Sequence, residues 1–553
     1  MSPKQRAHLS RSAGLKMLAV VSLVIGILLA LATPSGATFQ KDCLALTPQS
    51  TVINSTAQQL TLVESGTNLT FPTQDASCNR GSQVVRANLC RVSMNITTSD
   101  RSEIAAEIWL PEKWNGRMVT VAGGGLDGCV HYEDLAYATA HGFAAVGTNN
   151  GHAGTTGVQF LNNDDVVTDF SYRAIHIGVL AGKSLLKSLY KRKLTGSYFL
   201  GCSLGGRQGV QAADMYPEDF DGIVAGAPAV DFNNLYSWRA GFFPLTGPVD
   251  SKDFITPTVW MTTIHDEVLR QCDKIDGVED GIIEDPSLCN FDPGTILCKS
   301  DSSNTKCLTS AQVDIVRKIF SPTNYTDGEL FWPAMNPGSE ILTADGLYSG
   351  KPFALSQNWF RYAIYNDPNW DPATYTLGKD GIFAEKRNPG NIKTYPRDLS
   401  AFKRRGGKLL MYHGQQDQQI TSFHTPIFYD RLAKGMHLNS SGMDHFTRFF
   451  RISGLYHCTT GPGAWLVGQG GSGGNSAVIS DSLPFNRTYN VLAAIVDWAE
   501  GGIAPETITG TKFLNDSVDL GVDFQRRHCR YPLRNTYRGD GLDPKLPDSW
   551  HCV

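Results

Sequence analysis

A short strand, Tyr198-Phe199-Leu200, runs directly into Gly201-Cys202-Ser203-Leu204-Gly205, and a helical stretch follows from near Gly206. Glycine on both sides of a serine permits a strand-to-helix turn too tight for larger residues. Such a turn forces strained backbone angles on the serine and lifts its hydroxyl above the sheet. The free N–H groups at the start of the helix point to the same place. The five-residue pattern also fits a plain glycine turn that happens to hold a serine. The strand before it and the helix after it are what narrow the reading to a nucleophile on an elbow.

The flanks carry the same rhythm. Glu103 to Leu110 reads as a strand. Met118 to Ala122 is a short apolar strand ending in Gly123-Gly124-Gly125, and Gly142 to Val146 is another, ending in Gly147-Thr148-Asn149-Asn150. From about Tyr172 to Tyr190, Ile175, Val179, Leu180, Leu186 and Leu189 recur at helical spacing. Phe220 to Val224 is a further strand. Strands alternating with helices, with glycine turns at the strand ends, predict an α/β domain with a mainly parallel sheet, of the α/β-hydrolase type. The rhythm stops near Phe232 and resumes at Lys408 to Gly414, and a late amphipathic helix covers about Tyr489 to Glu500. A chain of 553 residues exceeds what one hydrophobic core usually serves. The expected division is a catalytic domain in two parts, 38–234 and 398–553, split by a lid domain at 235–397 rich in Trp, Tyr, Pro, Asn and Asp. The Ser/Thr-rich segment after residue 37, with Cys43, Cys78 and Cys90, is expected to form β-rich edge structure, and Gly468 to Gly474 a flexible loop.

Residues 1–37 read as a cleaved secretory signal: Lys4, Arg6, Arg11 and Lys16, an apolar run from Met17 to Ala32, then Thr33-Pro34-Ser35-Gly36-Ala37 with small residues before the cut. The competing reading is a membrane anchor, but a spanning helix usually needs about 20 apolar residues. The 12 cysteines are even in number and all follow the cut, as expected for a chain that pairs them in an oxidising compartment. Seven Asn-x-Ser/Thr sequons, at Asn54, Asn68, Asn95, Asn324, Asn439, Asn486 and Asn515, fit a secreted, extracellular glycoprotein. A net charge of -4 gives no basic excess for nucleic acid, and no later segment is long and apolar enough to hold the mature chain in a membrane.

A serine hydroxyl needs a base to take its proton, and in this fold the acid and then the histidine follow the serine along the chain. Asp417 lies four residues past His413, just beyond the strand Lys408 to Tyr412. Asp430 and Asp444 lack a preceding strand. The histidines available are His424, His437, His445, His457, His528 and His551. His457 stands out because its neighbour is Cys458 while the neighbour of Ser203 is Cys202. A Cys202–Cys458 disulfide would strap nucleophile and base together, although either cysteine has other partners open to it. The backbone N–H of Leu204 is one oxyanion donor. Gly124 and Gly125, after an early strand, are placed to supply the second, or to be an ordinary turn.

Gly201-Cys202-Ser203-Leu204-Gly205-Gly206-Arg207-Gln208, Tyr412-His413-Gly414-Gln415-Gln416-Asp417 and Tyr456-His457-Cys458 together resemble the Cys-Ser…Asp…His-Cys pattern of the tannase and feruloyl esterase family over nearly the whole mature chain. The resemblance implies a Ser203–His457–Asp417 triad and a Cys202–Cys458 disulfide. It leaves the substrate open, because the family also includes terephthalate monoester hydrolases.

Within the expected lid, Asp273, Asp276 and Asp280 offer carboxylates and Val278 and Ile282 carbonyls, a donor set suited to calcium but without EF-hand spacing. An acidic solvated turn fits equally well. The resemblance implies a structural Ca2+ there, with Cys272–Cys289 and Cys298–Cys307 stapling the region, and no organic cofactor is called for. Trp and Phe residues of a lid would wall an apolar slot for an aromatic acyl group. The expectation is a secreted carboxylic ester hydrolase acting on hydroxycinnamoyl (feruloyl) esters of plant cell-wall polysaccharides such as xylan, with galloyl esters, as in a tannase, second. The rivals are a non-catalytic glycan-binding protein on a hydrolase fold and a serine peptidase of the same fold.

Overall fold

The computed structural model describes residues 36–299, 306–470, 480–539 and 541–553. The expected signal lies outside these, apart from Gly36 and Ala37, which open the helix Gly36–Leu44. Of the expected glycine loop, only Gly468 to Gly470 lie inside.

Nine strands form one sheet, in the order Ser55–Val63, Leu89–Ser99, Ser102–Pro111, Ala144–Thr148, Arg117–Ala122, Gly196–Cys202, Gly222–Gly226, Lys408–Gly414 and Thr447–Ile452. The first four pair antiparallel. From Ala144–Thr148 onward every pairing is parallel. The parallel part carries helices on both faces, so its middle strands are apolar throughout rather than alternating. All seven residues of Gly196–Cys202 and all five of Gly222–Gly226 are buried.

Register then places the chemistry. Ala122 is paired with Gly201, Cys202 with Gly226, Gly226 with Tyr412, and Gly414 with Ile452. The loops that follow these strands therefore leave the sheet along one edge, the carboxyl edge, where open α/β sheets bind their ligands. Phe199, Ile223 and Met411 face one core layer with Ile175, Val179 and Leu186 of the helix Ala174–Tyr190. Tyr198, Leu200, Val224 and Leu410 face the other, with Leu135 and Ile495.

The strands Gly222–Gly226 and Lys408–Gly414 are sheet neighbours, and the chain between them builds a mostly helical body over the carboxyl edge. Its core of Trp260, Trp332, Trp359, Phe360 and Val268 takes in Leu126, Leu204 and Ile420 from the loops of the sheet. Lid and catalytic edge thus share one apolar cluster.

Several local expectations shift. The segment after residue 37 begins with two helices, Gly36–Leu44 and Pro48–Thr51, before its edge strands. Gly142 lies outside its strand, at φ +80°, where an added Cβ would meet the Lys113 carbonyl at 3.1 Å; the strand starts at Ala144. Phe220 also precedes its strand, which starts at Gly222. The elbow helix starts at Leu204, two residues before the glycine pair ends. Two C-terminal ribbons, Thr507–Phe513 with Val522–Cys529 and Asn535–Tyr537 with Trp550–Cys552, were not anticipated.

Candidate active site

Ser203 sits at φ 61°, ψ −118°, between the strand Gly196–Cys202 and the helix Leu204–Met215. This is strained backbone for a serine, and structure on every side enforces it. A Cβ on Gly205 would lie 2.8 Å from the Ala122 carbonyl, and one on Gly206 2.2 Å from the Gly226 carbonyl. The Ser203 N–H donates to Gly226 O at 2.9 Å, and its carbonyl accepts from Ala229 N at 3.1 Å.

Ser203 Oγ lies 2.9 Å from His457 Nε2, and His457 Nδ1 lies 2.7 Å from Asp417 Oδ2. A carboxylate only accepts, so Nδ1 carries the ring proton and Nε2 is left to accept from the serine. Asp417 is fully buried and accepts four hydrogen bonds. Its Oδ1 takes the backbone N–H groups of Gln419 (2.7 Å) and Ile420 (2.8 Å), and its Oδ2 takes His457 and His413 Nε2 (3.1 Å). Burial alone would raise the Asp417 pKa; the two imidazoles outweigh it and hold the carboxyl well below the usual range. His457 N donates to Gln418 Oε1 at 2.9 Å, tying the histidine loop to the acid turn.

Cys202 and Cys458 are disulfide-bonded, with Cα atoms 6.0 Å apart. The other pairs are Cys43–Cys90, Cys78–Cys129, Cys272–Cys289, Cys298–Cys307 and Cys529–Cys552. The other titratable candidates lie elsewhere. Asp430 faces Tyr531, and Asp444 pairs with Arg448 and Arg530. His424 stacks on Trp332, His528 reaches the Ala464 carbonyl, and His551 sits in a terminal strand. His437 and His445 flank the short helix Ser440–Met443, outside the cavity described below.

The glycine loop touches the elbow: Gly205 N donates to Gly123 O at 2.8 Å, and a Cβ on Gly124 would lie 3.7 Å from Ser203 Cβ. Gly125 is at φ +64°, a conformation glycine holds without strain. Among the described residues, the N–H groups of Leu204, Gly124 and Gly125 have no protein acceptor, as an oxyanion hole requires.

Sequence reasoning missed three contributions. Tyr236 and Arg239, on the first lid helix Phe232–Ala240, reach back to the site: Tyr236 Oη donates to Gly125 O at 3.3 Å, and Arg239 Nε to Gln419 O at 2.8 Å. His413 is the third. The sequence reading gives it a place in the strand and in the motif before Asp417 but no role. One wall of the cavity over Ser203 was also unforeseen. That cavity, of about 630 Å3, is lined by Ser203, His457, Gly124, Leu126 and Leu355, and across from them by the segment around Asn79 to Gln83. Arg80 is fixed there by two hydrogen bonds to Glu133, at 2.8 and 3.0 Å, beside the Cys78–Cys129 disulfide. Only the run of polar residues around Cys78 carried a signal of this.

In the lid loop, Asp273 accepts from the backbone N–H groups of Asp280 (3.3 Å) and Gly281 (3.1 Å), and Asp276 Oδ1 from Val278 N (2.9 Å). Asp280 Oδ1 accepts from Ile282 N at 3.1 Å, while its Oδ2 pairs with Arg526 at 2.5 Å. The oxygens of the three aspartates do not all come within 4.8 Å of one another. Asp276 Oδ2, however, is buried without a partner. Burial, with Glu284 and Asp280 close by, pushes Asp276 up to about 7. Of the sequon asparagines, Asn54, Asn68, Asn324, Asn439, Asn486 and Asn515 are exposed, and Asn95 is half-buried against Glu103. No helix among the described residues is long and apolar enough to cross a membrane.

A family model described as tannase and feruloyl esterase matches residues 90–553. A protein of Aspergillus flavus named "Probable feruloyl esterase B-2" is 52% identical over 511 residues, spanning 92% of this chain and 96% of that relative. The crystal structure of feruloyl esterase B from Aspergillus oryzae superposes with a TM-score of 0.87 at 42% identity, over 93% of this chain and all of that one. That of an esterase from the same organism gives 0.88 at 44%, with the same coverage.

Proposed function

The chain belongs to the tannase and feruloyl esterase family, and from that premise we propose that it is a secreted serine carboxylesterase cleaving hydroxycinnamoyl esters attached to plant cell-wall polysaccharide. The observation that carries this reading is the pair of hydrogen bonds linking Ser203, His457 and Asp417 beneath the free N–H groups of the glycine loop. His457 Nε2 takes the Ser203 proton as Oγ attacks the ester carbonyl. The oxyanion that forms lies between the N–H groups of Leu204 and Gly124 or Gly125; loss of one such donor typically costs about 2.7–4 kcal/mol of barrier. Asp417 stabilises the imidazolium, which passes its proton to the departing alcohol. Water, deprotonated by the same nitrogen, then releases the acid from the acyl-enzyme.

The names of the 52% and 42% identical relatives favour a feruloyl over a galloyl substrate. Leu126 and Leu355 offer the cavity an apolar side for the aromatic ring. Six disulfides and six exposed sequons support passage through an oxidising, glycosylating compartment. Ca2+ suits the lid loop because an unpartnered carboxylate oxygen on Asp276 is buried among further acids. Asp276 would anchor it, and Asp273 and Asp280, with the Val278 and Ile282 carbonyls, would complete the set by turning in from the hydrogen bonds and the Arg526 pair they make here.

Purified protein assayed side by side on methyl ferulate, methyl caffeate and methyl gallate should release acid from the two hydroxycinnamates faster than from the gallate. Preference for gallate would make it a tannase in activity. No hydrolysis of any ester, together with no fluorophosphonate labelling of Ser203, would leave the binding-protein reading.

A further inference from the structure

His413 is fully buried, at the end of the strand that delivers the acid turn, and it touches neither the nucleophile nor the cavity. Its contacts place its ring hydrogen. Nε2 lies 3.0 Å from the Ile420 carbonyl and 3.1 Å from Asp417 Oδ2. Both are acceptors only, so Nε2 carries a hydrogen and shares it between them. Nδ1 lies 2.7 Å from Thr425 Oγ1, whose hydroxyl is free to donate to it. The ring is thus oriented from both ends, by the helix His424–Gly435 on one side and the acid turn on the other.

The consequence falls on one oxygen. Asp417 Oδ2 receives His457 Nδ1 at 2.7 Å and His413 Nε2 at 3.1 Å, while Oδ1 is held by two backbone N–H groups. The backbone pair fixes one oxygen of the carboxylate. Rotation about the Cβ–Cγ bond, which would swing Oδ2 away from His457, moves both oxygens at once, so it is opposed at Oδ1 by the backbone pair and at Oδ2 by the two imidazoles. His457 itself stands on a loop and moves between protonation states during turnover. At Oδ2, His413 is the donor that stays in place throughout.

We propose that His413 is a positioning residue of this esterase: its Nε2–H holds Asp417 Oδ2 in line with His457 Nδ1, so that the catalytic histidine keeps its tautomer and its aim at Ser203. The proposal rests on the Ser203–His457–Asp417 reading. A displacement of about 1 Å at a reacting group can cost roughly a hundredfold in rate, and serine proteases lose about 10⁴ when the acid no longer enforces the tautomer. The loss expected on removing the His413 donor lies between no effect and that second figure, nearer a hundredfold.

The test compares His413→Leu, which removes the donor, with His413→Gln, whose side-chain amide can return an N–H to the same oxygen. Both are measured on methyl ferulate as kcat per active site titrated with a fluorophosphonate, alongside KM and Tm. The expected result is a fall in kcat of about ten- to a hundredfold for His413→Leu, with KM within about twofold of wild type, and substantial recovery of kcat in His413→Gln. Thr425→Val, which only frees the far side of the ring, should lower kcat several-fold at unchanged KM, and it serves if His413→Leu does not fold. Wild-type kcat per titrated site in His413→Leu, or in Thr425→Val if that variant alone folds, would overturn the proposal. So would equal losses in His413→Leu and His413→Gln, which would reduce His413 to a packing role. Ser203→Ala is run in parallel: if it keeps wild-type turnover, the triad reading has failed, whatever the His413 variants do.

Discussion

At the scale of single residues, the chemistry was legible where a residue's neighbours in sequence are also its neighbours in space. Ser203 was identifiable because the glycines at 201, 205 and 206 are each required by a backbone contact of the turn that presents it. His457 was identifiable because Cys458 is bonded to the residue next to the nucleophile. Tyr236, Arg239 and the cavity wall at Arg80 were not, because each acts on a partner far away in sequence: Gly125 is 111 residues from Tyr236, and Gln419 is 180 from Arg239. Nothing local marks such pairs. The sharpest residue-scale prediction concerns the nucleophile. Ser203→Ala removes one oxygen from a site whose other hydrogen bonds remain, so the variant should fold with wild-type Tm and lose turnover by about 10⁶, as seen when such nucleophiles are deleted. Steady-state assay on methyl ferulate decides it: residual activity above about a thousandth of wild type would remove Ser203 from the mechanism.

At the scale of elements, strand-and-helix alternation predicted the parallel half of the sheet, since buried parallel strands are short apolar runs punctuated by glycine. It failed at the N-terminal edge, where the helices Gly36–Leu44 and Pro48–Thr51 carry too little apolar periodicity to show, and in the C-terminal ribbons, whose longer strands are rich in Thr, Lys and Arg and show no sustained apolar alternation. The element on which catalysis most depends is the histidine loop, and it is not self-supporting. Cys458 and Thr460 both sit at positive φ, 66° and 59°, which non-glycine residues adopt at a cost. The Cys202–Cys458 bond anchors this loop to the elbow, and Gln469 Nε2 donates to the Cys458 carbonyl at 3.3 Å. The strap closes a segment whose ends are 256 residues apart, which on the chain-entropy model restricts the unfolded chain by up to about 5 kcal/mol. If that were its whole role, Cys202→Ala with Cys458→Ala would lower Tm and leave turnover per folded site unchanged. Relaxation of a strained loop that carries His457 predicts more: kcat per titrated site should fall by about a hundredfold. Active-site titration combined with thermal melting separates the two, and a double variant with wild-type turnover per site would show the strap to be a staple only.

At the scale of the whole molecule, the lid and the C-terminal ribbons meet at one acidic junction. Asp276, Asp280 and Glu284 come from the lid loop, and Arg526 reaches them from the strand Val522–Cys529, at 2.5 Å from Asp280 and 3.3 Å from Glu284. Asn535 from the next ribbon donates to Glu284 at 3.0 Å. One arginine faces three carboxylates, one of which keeps a buried oxygen without a partner. Like charges held close together destabilise the folded state unless a cation offsets them, and Ca2+ at this loop would do so while binding only the folded chain. Linkage then sets the size of the effect: an ion present at 100 times its dissociation constant stabilises by about 2.7 kcal/mol. Because no residue of the loop lines the cavity over Ser203, the ion should act on stability rather than on the chemical step. Excess chelator should therefore lower Tm by several degrees, and returned Ca2+ should restore it, while kcat on methyl ferulate well below Tm changes less than twofold. The measurement is a melting curve with metal content determined on the same sample. An unchanged Tm in protein shown to be free of metal would exclude a structural ion at this junction, and Arg526 and Asn535 would then be sufficient to hold lid and ribbon together.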